Sequence, residues 1–277
     1  MPNREEAERR LEKLFIAVTA WASRIRKPPP VAAPGSSLAA DDQAFPCMPA
    51  STIAYNGLAV AVEHLDYFRT SFQATGHIYP AANYTVLRSA LMGAAQAVWV
   101  LAPRPRHERI GHALDIAVDS YNQQRNLVEA ATGLSADQQV VTDQVLTTLE
   151  TRLVEAAVVA TALGRDATKI RKWKLSMTRV ITDAVGLANP DNTADASAIR
   201  AGTALLWRSQ SGHAHGTPGS MLSLIDHGSI VDGGAGTLWA TASTSLEGVV
   251  SAAGGAALLL NEAWKLYDLR CQNLGQA

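Results

Sequence analysis

The apolar residues near the end of the chain constrain its fold more than any other feature. Leu246, Val250, Ala253, Ala257, Leu260, Trp264 and Tyr267 follow one another at alternating steps of four and three. Only an α-helix keeps residues so spaced on one continuous seam, and so long a seam needs a partner to cover it. The same rhythm recurs upstream. Leu11, Leu14, Phe15, Val18, Trp21 and Ile25 predict a first helix, with Asn3 and Glu6 spaced as a capping box at its start. That helix stops at Pro28, Pro29 and Pro30, because proline lacks the N–H the ladder needs. A second helix follows Ser51, its expected cap, with Leu58, Ala61, Leu65, Phe68 and Phe72 inward. A third carries Leu87, Leu91, Ala94, Val98 and Leu101 towards Pro103, and a fourth runs from Pro105 to Ala131. The short link between those two predicts an antiparallel hairpin.

A fifth stripe, Val141, Val145, Leu149, Leu153 and Ala157, ends near Gly164. Met177, Val180, Ile181 and Val185 mark another helix, and the next starts near Thr193 and reaches at least Ser211. Only residues 222–242 read as β, a small hairpin turning around Asp232, Gly233 and Gly234. The expected fold is therefore all-α, a bundle of about seven or eight helices with that one hairpin. Three segments are expected: an N-terminal amphipathic helix over 1–26, a Pro-rich linker or surface-wrapping arm over 27–50, and a helical bundle domain over 51–277.

Composition narrows the function classes. With 47% hydrophobic and 18% charged residues and a net charge of -1, the 277-residue chain is neither a disordered acidic tail nor a uniformly basic nucleic-acid coat. The nearly apolar run from Gly248 to Leu260 is shorter than the roughly 18 residues a bilayer span requires, so no membrane partner is expected. The charged start MPNREEAERRLEKLF lacks the apolar stretch of a secretory signal, which points to the cytoplasm. Two cysteines, Cys47 and Cys271, cannot build a disulfide scaffold or a cysteine zinc site within one chain. There is no phosphate-binding loop ending in Lys and Ser/Thr, no strand-linked G-x-G-x-x-G, no H-E-x-x-H and no G-x-S-x-G elbow.

The densest polar cluster is residues 207–216, WRSQSGHAHG. At about 100° per residue, seven residues return to within about 20° of the starting direction, so Arg208 and His215 share a face if the helix persists. His213 points about 140° from Arg208 and converges with it only if the helix loosens at Gly212. A guanidinium can hold a phosphate through paired N–H bonds while a histidine exchanges a proton. The plain alternative is that histidines at a helix end bond its orphan carbonyls. A basic stretch, Lys169, Arg171, Lys172 and Lys174 around Trp173, offers phosphate contacts and a stacking surface, or is simply solvated. Arg104, Arg106, His107 and Arg109 form a second basic group with the same two readings. Arg88, inside an apolar helix, either reaches the Arg208 and His215 site or pairs with a buried acid such as Glu63. His213, His215, Asp226 and His227 are the alternative of a metal-dependent hydrolase. Trp99, Trp207, Trp239 and Trp264 read as core or interface packing.

The WRSQSGHAHG segment resembles the signature of HEPN domains, an arginine followed after four to six residues by a histidine. The helix NYTVLRSALMGAAQAVWVLAP, followed by Arg109, resembles the long helix of HEPN-like proteins of actinobacteria. Together the two matches span roughly residues 51–277. The resemblance implies an all-α, homodimeric protein and, in its catalytic members, a metal-independent endoribonuclease needing no cofactor. It maps the family's arginine and histidine onto Arg208 and His215, with His213 as the alternative base, Ser209 as a hydrogen-bonding neighbour and Arg88 in support. Catalytic members usually place Asn, His or Asp directly after the arginine, where Ser209 stands here. That departure motivates a second expectation, a non-catalytic bundle that binds a nucleotide, RNA or a protein.

Overall fold

A computed structural model describes residues 4–191 and 193–273. The protein is all-α, 75% helical, with one two-stranded antiparallel sheet. Ten α-helices are described: α1 (Arg4–Ile25), α2 (Ser37–Ala44), α3 (Ala50–Thr75), α4 (Pro80–Leu101), α5 (Arg106–Glu129), α6 (Ala136–Ala162), α7 (Met177–Ala188), α8 (Ala194–Ala214), α9 (Pro218–Leu222) and α10 (Leu246–Cys271). Strands β1 (Val231–Gly234) and β2 (Thr237–Trp239) lie between α9 and α10. The expected capping residue Asn3 lies outside the described residues.

The chain separates into two compact units. Unit 1 comprises Met1–Pro29, Asn56–Val98 and Thr178–Lys265. Unit 2 comprises Pro30–Tyr55, Trp99–Met177 and Leu266–Ala277.

In unit 1 the predicted stripes are the buried faces. Leu11, Leu14 and Val18 of α1, Leu58, Leu65 and Phe68 of α3, and Leu87, Leu91 and Val98 of α4 are all buried. Each such side chain contributes about 1.5–3 kcal/mol on leaving water. Phe15 meets Phe68 edge-on at 5.9 Å, and the Arg24 guanidinium lies over the Trp264 ring at 3.8 Å. Helices α3 and α4 cross at Gly57 and Gly93, where a Cβ on either glycine would stand 2.6 Å from the other's carbonyl oxygen. The hairpin is present, but its turn falls at Gly234, Ala235 and Gly236, all at positive φ, rather than at Asp232, Gly233 and Gly234. Asp232 instead belongs to β1 and accepts a bond from the Gly234 N–H at 2.8 Å.

In unit 2 the segment expected to be an extended linker or arm contains α2. Ser36 caps it by accepting from the Ala39 N–H at 3.2 Å, and Leu38, Asp41 and Phe45 are fully buried. A carboxylate can be buried there because Arg109 chelates it, through Nε to Asp41 Oδ2 at 2.6 Å and Nη2 to Oδ1 at 2.9 Å. Removing one member of such a pair costs about 3–5 kcal/mol, since the other is left charged and dry. Arg109 is thus structural, and Arg104 and His107 are exposed. Ser51 does not cap α3, which starts one residue earlier; its N–H donates to Asp42 Oδ1 at 2.9 Å. Helix α6 begins with a complete capping box, Ser135 and Gln138. Leu149 and Leu153 of its stripe are buried, whereas Val141 and Val145 are exposed.

Candidate functional site

The site is set by the C-terminal half of α8, in unit 1. Thr193 caps this helix by accepting from the Ala196 N–H, and the helix then continues unbroken through Gly212 to Ala214, with His215 as its C-terminal cap. Gly212 is therefore not a hinge. A Cβ there would collide with the side chain of Ser220 on α9, so the glycine lets that short helix approach.

An unbroken helix divides the signature in two. Arg208 and His215 share one exposed side, and neither has a hydrogen-bond or ion-pair partner among the described residues. His213 turns the other way and is buried at 5% exposure. Its ring stacks on Tyr84 of α4 with centroids 5.0 Å apart, and its Nε2 lies 3.3 Å from Ser209 Oγ, one helical turn back. Burial pushes the imidazole below its usual range. Its Nδ1 is enclosed with no partner.

Arg88 joins this inner set. Its Nε donates to Ser211 Oγ at 2.9 Å, and its guanidinium lies over the Trp207 ring at 4.4 Å. It therefore reaches α8 beside His213 rather than Glu63, which is exposed on α3. Burial lowers the Arg88 pKa, and no carboxylate among the described residues compensates it. Trp207 is held in turn by its Nε1 bond to Thr178 Oγ1 at 3.0 Å. Tyr84 shares a hydroxyl bond with Thr244 Oγ1 at 2.8 Å. Gln210, 1% exposed, has neither its amide N nor its O bonded. Gln210 and Ser211 belong to the polar cluster 207–216, but Tyr84 carries no signal of its own in the sequence, since Tyr84 and Ser211 lie 160 and 123 positions from their partners.

The basic stretch belongs to unit 2; Lys169, Arg171 and Lys172 lie in a 3-10 turn, Ala167–Lys172, and Trp173 and Lys174 follow it. Its cations are not equivalent. Arg171 pairs with Glu150, which its guanidinium holds below the usual carboxylate range, and Lys169 pairs with Asp166 at 3.3 Å. Lys172 and Lys174 are exposed and have no carboxylate partner among the described residues. Trp173 is half-buried beneath the Arg165 guanidinium at 4.4 Å, and its carbonyl accepts from Asn122. Trp99, Trp207 and Trp264 are core residues, whereas Trp239 on β2 is 66% exposed.

Among the described residues no three His, Cys, Asp or Glu side chains are grouped as a metal ion would need. No helix among them is long and apolar enough to cross a membrane. No family model, curated protein or solved structure matches the chain.

Proposed function

We propose that this protein is HEPN-like and acts on RNA as a metal-independent endoribonuclease, with Arg208 and His215 as the reacting pair. One observation carries the reading: α8 stays helical to its end, so the two side chains share a solvent-facing side with no competing partner within the described chain. In the proposed reaction Arg208 donates paired N–H bonds to the non-bridging oxygens of a phosphodiester, and His215 takes the proton from the adjacent 2'-OH. That oxygen attacks phosphorus, the bond to the 5'-oxygen breaks, and a proton donor must protonate the leaving oxygen. A second copy of the chain in a homodimer would supply that donor as its own histidine. Ser209 is the hydrogen-bonding neighbour after Arg208, its hydroxyl already engaged by His213 Nε2, and Arg88 braces α8 from within by donating to Ser211 Oγ. Lys172 and Lys174, unpaired with carboxylates, are the members of the basic stretch most available to RNA phosphates, with Lys169, Arg171 and Trp173 flanking them.

The test follows labelled single-stranded RNA with excess chelator. Wild type should cleave it, and Arg208→Ala and His215→Ala should each lose about a hundredfold or more in rate while remaining folded. Loss in His213→Ala alone would move the base inward. Cleavage stopped by chelator alone would revive a metal site.

A second reading, an RNA- or nucleotide-binding bundle without turnover, is favoured by one observation. The second histidine of the signature is enclosed against Tyr84, leaving one exposed histidine per chain on α8 where acid–base cleavage needs two proton-transfer groups. Under it the same RNA is retained but not cut, and binding still weakens in Arg208→Ala.

A further inference from the structure

A groove in unit 1, bounded by α1, α8 and α10, encloses about 810 Å³. That is the size of clefts which take up a small ligand, and such clefts combine apolar walls with a few fixed polar groups. Its walls fit that description. Trp21, Leu206 and Leu258 line it, and Leu258 is 63% exposed. Gly202 and Gly254 open onto free space, since a Cβ on either meets no atom within 4 Å. Asp and Glu are absent from its lining, and its charge stands at one end. Arg10 and Lys13, one turn apart on α1, are its two cations. The acidic neighbour of Arg10 is Glu6 at 3.9 Å, itself engaged by Arg9. Lys13 has no carboxylate partner among the described residues. From Arg10 to Trp21 the groove follows α1 for about 16 Å, at 1.5 Å per residue.

We propose that this groove binds a free single-chain amphiphile with an anionic head, its carboxylate held by Arg10 and Lys13 and its tail laid along Gly202 and Gly254 towards Trp21. A cationic end on a mainly apolar trough, whose uncharged polar lining is Thr203, Ser251 and Asn261, matches that ligand at both ends. A second copy matches it poorly: two-fold pairing of the groove with itself brings no carboxylate to either cation, because none lines it. The inference is independent of the RNA reading, which uses the other side of α8.

The full chain is titrated with anilinonaphthalene sulfonate, an apolar anionic probe, which is then displaced with dodecanoate or with dodecanol. Dodecanoate should displace the probe at about tenfold lower concentration than the uncharged alcohol, as charge-assisted bonds to the head predict. Arg10→Glu with Lys13→Glu should abolish that preference. Gly254→Leu fills open space and replaces a helical glycine, so it should weaken both ligands about tenfold without lowering Tm. Equal displacement by acid and alcohol, or probe binding unchanged in Gly254→Leu, overturns the proposal. So does a wild-type dimer that Gly254→Leu converts to monomer with no amphiphile bound, which would assign the groove to a second copy.

Discussion

His213 and Arg88 are both enclosed by aromatic rings, and both lose affinity for a proton through burial. For the histidine this has a measurable consequence. In the unfolded chain an imidazole titrates at about 6.5, whereas in the native protein burial holds it lower. Between those two values the unfolded state binds more protons, so native stability rises with pH there. The contribution of His213 is whole above about pH 6.5 and is lost as pH falls from there through the folded value. Tm should therefore drop between pH 7.5 and 5.5, and His213→Gln should flatten that drop. Equal slopes in wild type and His213→Gln would remove the assignment.

At the level of elements, two glycines make opposite predictions. Gly57 lies where α3 meets α4, and a Cβ there meets the Gly93 carbonyl, a backbone atom that cannot yield without moving the helix. Gly57→Ala should destabilise by about 1–3 kcal/mol of overpacking, partly offset by about 1 kcal/mol of helix propensity. Gly186→Ala on α7 meets nothing within 4 Å and should instead stabilise by about 0.5–1 kcal/mol in urea melts. Shifts of the same sign would show that the crossing is looser than its geometry. The long helices were legible because an apolar seam repeated over several turns can be nothing else. Helices α2 and α9 were not, since eight and five residues are too few to display a period. What fixes α2 is Asp41 on Arg109, a pair 68 positions apart that no local window contains. The exposed Val141 and Val145 mark the converse limit: periodicity says which residues share a face, and only tertiary packing says whether anything covers it. The candidate site divides the same way. Angular arithmetic put Arg208 with His215 and turned His213 aside, whereas the bond from Arg88 to Ser211 crosses 123 positions and left no local signal.

Across the whole molecule, each unit is assembled from three separated stretches of chain, so neither can be cut out as one piece. Helix α10 serves both, through Lys265 for unit 1 and from Leu266 for unit 2. In unit 2 Arg270 donates to the carbonyls of Leu101 and Pro103 at 3.1 and 3.0 Å. A chain ending at Lys265 should accordingly lose amide-exchange protection in α2 and α5 while α8 keeps it; equal loss in all three would mean that the units do not open separately. The stack of Arg24 on Trp264 adds a matter of timing. The two residues are 264 − 24 = 240 positions apart. At about 5–20 residues per second, a ribosome completes α1 some 10–50 s before the residue that covers its end exists. Through that interval the C-terminal turn of α1 lacks the indole on which Arg24 comes to rest, so this stack can only lock a helix that α3 has already met through Phe15 and Phe68.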